Sequence, residues 1–103
     1  MNIQIKSENL KLTNKIKDYA TEKVEMLEKY LGNWQVLDAK VKVGMTSRHH
    51  QKGDIYQCEI AISLPGETLR VSKVEKDIYK AIDKVKDHMM RSVKRYKEVR
   101  SGK

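Results

Sequence analysis

An α+β fold of element order β-α-β-β-β-α is predicted for this chain, a four-stranded mixed sheet with two helices packed on one face. Three observations predict it. Four short segments alternate apolar and polar residues, two longer segments repeat apolar residues at helical spacing, and Leu64-Pro65-Gly66-Glu67 is a type II turn signal joining two of the strands. At 103 residues the chain suits one domain with a modest two-layer core.

Ile3 and Ile5 alternate with Asn2, Gln4 and Lys6, which reads as a first strand with one buried face. After a turn over 9–12, Thr13 is placed to cap a helix whose apolar residues Ile16, Tyr19, Ala20, Val24, Leu27, Tyr30 and Leu31 form one stripe, and Gly32 stands where a helix-terminating glycine is expected. The outer face of this helix mixes Asp18, Glu22, Glu25 and Glu28 with Lys15 and Lys29. Lys23 projects near the apolar stripe, where it reads either as a snorkelling lysine that covers core, the reading geometry favours, or as a cation at the rim of a groove between helices. Leu37, Ala39, Val41 and Val43 share the buried face of a second strand, with Asp38, Lys40 and Lys42 opposite.

Residues 44–54, GMTSRHHQKGD, show no periodicity and read as a flexible loop. Tyr56, Cys58, Ile60, Ile62 and Leu64 then line a third strand, and a fourth runs over 68–71 with Leu69 and Val71 inward. Ser72 and Glu75 match the S-x-x-E capping box, which predicts a last helix over 72–97. Its apolar stripe is Val74, Ile78, Ala81, Ile82, Val85, Met89, Val93 and Tyr96. Its far side carries Lys73, Lys76, Lys80, Lys84, Arg91, Lys94 and Arg95 within an arc of roughly 100°. A strand-helix-strand start implies a right-handed crossover with the first two strands parallel, and the remaining strands connect as antiparallel hairpins. The outer sheet face, with Lys40, Lys42, Gln57 and Glu59, is expected in water.

Charge narrows the function. The net charge is +8, and residues 73–103 hold 11 basic against 5 acidic side chains while residues 1–72 hold 11 against 9. Cation concentrated on one helix favours a polyanion, although a solvated charged face explains the same composition. Mean hydropathy is −0.72, no run approaches a membrane span, and the start lacks an apolar signal segment, so a cytoplasmic protein without membrane contact is expected. The lone Cys58 agrees with a reducing compartment.

Catalytic constellations are not found in the sequence. His49 and His50 are adjacent in the loop, Cys58 lies in a strand interior without a histidine partner, and Gly44, Gly53 and Gly66 are isolated. No enzyme activity, cofactor, metal or small-molecule substrate is expected. A cationic helix gains affinity for phosphates by releasing counterions, with a salt slope of about −0.7 to −0.9 per phosphate neutralised. Tyr19, Tyr30 and Tyr96 are drawn into the apolar stripes, so recognition of folded RNA by shape is favoured over base stacking.

At the last helix a family resemblance appears. The run Asp77-Ile78-Tyr79-Lys80-Ala81-Ile82-Asp83, followed by Met89, Arg91, Val93 and Arg95, resembles the signature and basic C-terminal helix of the ribosome hibernation-promoting factors and ribosome-associated inhibitor A. Leu12-Thr13, Lys23, Leu27-Glu28-Lys29-Tyr30 and the Leu64-Pro65-Gly66 hairpin are similar to the same family, so the resemblance covers essentially the whole chain. It implies a fold related to double-stranded-RNA-binding domains and a non-enzymatic protein. Such a protein binds small-subunit rRNA near the decoding region, blocks the mRNA and tRNA sites, and silences or protects idle ribosomes under starvation or in stationary phase. Lys23, Arg91 and Arg95 match positions where the family has a basic residue. His88 departs from the lysine common there, and Lys84 and Lys94 enter from the cationic arc. With Lys80 and Lys97 of the same helix, these eight residues are the expected rRNA contacts. Tyr79 and Asp83 belong to the signature and are assigned no contact.

Residues 1–98 are expected to form the single ribosome-binding domain and 99–103 a basic flexible tail. The chain resembles the short form of the family, or the N-terminal domain of a long form, and is expected to be monomeric away from the ribosome. Two other readings compete: a protein-interaction module whose basic helix docks an acidic partner, and a general double-stranded-RNA binder. A complex that survives ribonuclease marks the first, and equal affinity for any duplex of about 16 base pairs the second.

Overall fold

A computed structural model of the chain describes residues 2–46 and 55–101. The elements are β1 (Asn2–Glu8), α1 (Asn14–Leu31), β2 (Asp38–Met45), β3 (Tyr56–Leu64), β4 (Glu67–Glu75) and α2 (Ile78–Arg100). The sheet has the order β1-β2-β3-β4, with β1 parallel to β2 and the later pairs antiparallel. Both helices cover one face, as the single apolar side of every strand requires. Of the loop expected over 44–54, residues 47–54, including His49 and His50, lie outside the described residues, as do residues 102 and 103 of the expected tail.

Local chemistry sets the ends of α1. The Thr13 hydroxyl accepts from the Ile16 amide at 3.2 Å, and the Gly32 amide donates to the Glu28 carbonyl at 3.1 Å. Gly32 has φ 59°, a conformation that costs glycine little and marks the helix end. Gly66, at φ 81°, takes the second corner of the β3–β4 turn that Pro65 opens. Between helices and sheet, Leu27, Leu31, Ile60, Ile62, Ile82 and Met89 are fully buried, each worth about 1.5–3 kcal/mol of transfer free energy.

The start of the last helix differs from expectation. Residues 72–75 are strand, not helix: β4 continues to Glu75, pairing Ser72 with Glu59, Lys73 with Cys58 and Val74 with Gln57. The helix begins instead behind Asp77, whose carboxylate accepts from the amides of Tyr79 (2.7 Å) and Lys80 (3.4 Å). Because β3 extends to Tyr56, it offers four more residues of backbone pairing than a strand ending at Val71 would use. A free aspartate two residues on then serves as a strong N-cap. Val74 is consequently 40% exposed on the outer sheet face rather than in a helical stripe. Lys73 and Lys76 are not helical. Two more residues expected in the core are outside it: Leu37 precedes β2 and is exposed, and Tyr30 lies at the rim of α1.

The C-terminal half of α2 is pinned to the hairpin. Tyr96 donates its hydroxyl to the Pro65 carbonyl at 3.1 Å, Trp34 meets its ring edge-on at 5.6 Å, and Arg100 pairs with Glu67 at 3.3 Å. At the other end of the sheet, a Cβ on Gly44 would stand 2.5 Å from the Glu8 carbonyl oxygen, a backbone atom that cannot swing away. Gly44→Ala is therefore expected to force β1 and β2 apart and lower stability by about 1–3 kcal/mol in urea denaturation. Unchanged stability would show that the close approach is not needed.

Candidate nucleic-acid interface

Helical geometry divides the cations of α2 between two flanks. Counting 100° per residue, Lys80, Arg91, Lys84, Arg95 and His88 span about 80°, while Asp83, Lys97 and Tyr79 project toward the opposite flank. On that second flank lies α1, running in the same direction: Lys23 pairs with Asp83 at 3.7 Å and Lys97 donates to the Tyr30 carbonyl at 3.2 Å. On the first lies β4, where Lys84 bonds to Glu75.

The eight expected contacts thus separate by their partners. Lys80, Arg91, Lys94 and Arg95 are exposed and take part in no ion pair among the described residues. Those four can exchange water for phosphate without giving up an internal bond. Lys23 is neither a plain snorkelling lysine nor a free cation. Its ammonium is 5.0 Å from the Tyr19 ring centroid and tied to Asp83. Lys84 and Lys97 are also held, the latter 4.6 Å from the centroid of Tyr30. Lys84 holds Glu75 below the usual carboxylate range, chiefly by its hydrogen bond.

His88 faces the β4 flank with its Nδ1 buried and without a hydrogen-bond partner. Burial, followed by the charges of Lys73, Arg91 and Arg95, holds its pKa below the ordinary histidine value. The sequence pattern puts Lys73 on a helix; its position in β4, opposite the buried Cys58, puts it on the helix side of the sheet next to these groups. Strand register was the missing signal, since Lys73 follows the inward residues Leu69 and Val71 at a period of two.

The signature residues around Tyr79 have a structural account. Tyr19 donates its hydroxyl to Asp83 at 2.7 Å and meets Tyr79 edge-on at 5.1 Å, and Lys15 lies 5.5 Å from the Tyr79 centroid. Asp83 so gathers Tyr19 and Lys23 and clasps α1 to α2. The hydrogen bond to Asp83, then desolvation and the carboxylate's charge, push the Tyr19 pKa up to about 12. Asp83→Asn is expected to bring it back toward the ordinary value of about 10, read by ultraviolet titration of tyrosinate. In the parent, stability should fall as pH climbs above about 10, because the unfolded chain releases this proton while the fold retains it. A Tyr19 titration insensitive to Asp83→Asn would contradict the clasp.

Cys58 is inert, its pKa pushed up to about 12 by burial and the nearby Glu59. No helix is long and apolar enough to cross a membrane, and no group of three or more His, Cys, Asp or Glu converges as metal ligands would, among the described residues.

Comparison with known proteins supplies the context for this face. A family described as sigma 54 modulation protein / S30EA ribosomal protein matches residues 3–101. The ribosome hibernation promotion factor of Staphylococcus aureus (strain COL) is 33% identical over 94 residues, which cover 91% of this chain and 47% of that protein. The chain therefore spans about half the length of that relative. The crystal structure of the Thermus thermophilus Protein Y N-terminal domain superposes with a TM-score of 0.77 at 32% identity, covering 93% of this chain and 99% of that one. A ribosomal subunit interface protein from Coxiella burnetii has the same fold, with a TM-score of 0.74 at 17% identity over 94% of this chain and 98% of its own.

Proposed function

Because this chain belongs to the family described as sigma 54 modulation protein / S30EA ribosomal protein, we propose that it is a ribosome hibernation factor that binds small-subunit rRNA through the cationic flank of α2. The observation that carries the reading is Lys80, Arg91 and Arg95 on that flank, with Lys94 between the two flanks, all exposed and without ion-pair partners among the described residues, on a helix fixed at both ends. A rigid row of unneutralised cations loses little entropy on meeting a phosphate backbone and releases counterions in doing so. It reads backbone shape, which suits a folded rRNA surface.

The action is steric rather than catalytic. In this reading the domain sits near the decoding region, fills the mRNA and tRNA sites and keeps idle ribosomes silent in the cytoplasm; the name of its Staphylococcus relative supports the hibernation role. Lys23 serves beside the main row, presented by Asp83 rather than spent as core cover. Away from the ribosome the protein is monomeric.

Sedimentation of the protein with separated subunits through a sucrose gradient tests this. It is expected to travel with small subunits, to be displaced as salt rises, and to inhibit translation in a cell-free reaction. Migration with large subunits alone, or a complex that survives ribonuclease without any ribosomal component, would replace this reading with the protein-interaction one.

A further inference from the structure

The β4 flank of α2 has more cations than its carboxylates can balance. Lys73, from β4, and Arg91 and Arg95, from α2, take part in no ion pair among the described residues, and all three charges act on His88. The carboxylates β4 offers on this side, Glu75 and Glu67, are already bonded, Glu75 to Lys84 one turn before His88 and Glu67 to Arg100, and Asp87 bonds to Lys86 at 2.7 Å. From the sheet, β3 brings the uncharged Cys58 to this side, directly opposite Lys73. Arg91 and Arg95 follow His88 by three and seven residues, so they share its side of the helix. Like charges held together without a counter-charge store electrostatic free energy that an anion would release.

We propose that Lys73, His88, Arg91 and Arg95 form one phosphate pocket between β4 and α2, and that filling it draws a proton onto His88, so that this face holds phosphate more tightly as pH falls. The pocket rests on the reading of this flank as an RNA-phosphate surface. It goes further by adding Lys73 and by making affinity depend on protons. A phosphate among the three cations cancels the field that opposes a charge on the imidazole and adds an attraction of its own. The bound-state pKa of His88 then lies above the free-state one, and binding takes up a proton. By linkage, affinity rises as pH drops through the interval between the two values and levels off below it. A lysine at position 88 would remain charged throughout and give no such dependence.

Nuclear magnetic resonance of the imidazole groups tests this on the full chain, from about pH 5 to pH 8, with and without inorganic pyrophosphate as the probe. The His88 midpoint is expected to rise by about one pH unit with pyrophosphate, matching a roughly tenfold tighter binding at the acid end relative to His88→Gln at the same pH. His49 and His50 report any non-specific ion effect and should move less. Lys73→Gln should raise the midpoint of free His88 and weaken pyrophosphate binding, and His88→Gln should keep only the opposite dependence that the probe's own ionisation imposes, binding it less tightly as pH falls. A His88 midpoint unmoved by pyrophosphate, or moved no more than those of His49 and His50, would overturn the proposal, as would a Lys73→Gln protein that behaves like the parent. Pyrophosphate contains no ribosomal component. An unmoved His88 would therefore leave ribosome binding intact, and failed co-sedimentation would leave a His88 response standing.

Discussion

Reversing charge at Arg91 and Arg95 together is expected to weaken small-subunit binding by about a hundredfold or more while leaving the fold unchanged. Both side chains are exposed and lack ion-pair partners among the described residues, so nothing inside the domain is broken by Arg91→Glu/Arg95→Glu. A charge-assisted hydrogen bond contributes about 1.5–3 kcal/mol, and two of them lost together account for the hundredfold floor. Replacement by glutamate adds repulsion of the phosphates to the loss. The salt dependence should flatten as well: two fewer phosphates neutralised reduces the slope of log K against log salt by about 1.4–1.8. Lys97→Glu, at a lysine held by the Tyr30 carbonyl and ring on the other flank, should cost much less. Because the double variant reverses two charges and Lys97→Glu one, a loss from Lys97→Glu of about half the double variant's in log K would mean that overall charge, not this flank, governs binding.

Met89→Ala is expected to cost about 2–5 kcal/mol of stability, the largest thermodynamic effect foreseen for a single residue here. Met89 is fully buried on the face of α2 that meets the sheet, one residue after His88 and two before Arg91. Truncation leaves a cavity that the surrounding Ile and Val side chains cannot fill, because their strands and helix are fixed by hydrogen bonds. Such a loss lowers Tm by roughly 10 °C or more in a domain of this size. Calorimetry checks it, and binding at a temperature where both proteins are folded should change little. A mild stability loss with a large binding loss would show that the α2 cations need the core beneath them to hold their places.

Several of these features are legible in the sequence and others are not, for physical reasons. The limits of α1 follow from Thr13 and Gly32, whose chemistry acts within a few residues. The hairpin after β3 follows from Pro65 and Gly66 for the same reason. The junction of β4 and α2 is different, because Ser72–Glu75 and Asp77 are both credible helix starts and the choice depends on how far β3 extends, a fact some 15 residues away. Tyr30 and Leu37 sit at the ends of apolar patterns, where the pattern cannot show that the partner layer has stopped. In the candidate site, the row from Lys80 to Arg95 is a matter of helical spacing alone. Which of the expected contacts are free is not: Lys84 is taken by Glu75 and, on α1, Lys23 by Asp83 across tertiary contacts. The family resemblance named the signature tyrosine and aspartate without a role, and the clasp from Asp83 to Tyr19 provides one.

The buried and inert Cys58 makes the most direct test of the central claim practical, since a cysteine introduced at the surface would be the reactive one. An iron chelate attached at Ser92→Cys, half-buried in the cleft between α2 and β4 with Arg95, or at Ser72→Cys, on the outer face of the sheet, generates hydroxyl radicals that cut nearby RNA. With the protein bound to ribosomes, the account predicts strong cleavage from position 92 confined to small-subunit rRNA around the decoding region, and clearly weaker cleavage of those nucleotides from position 72. Cleavage from position 92 in large-subunit rRNA, or stronger cutting of the decoding region from position 72 than from position 92, would contradict it.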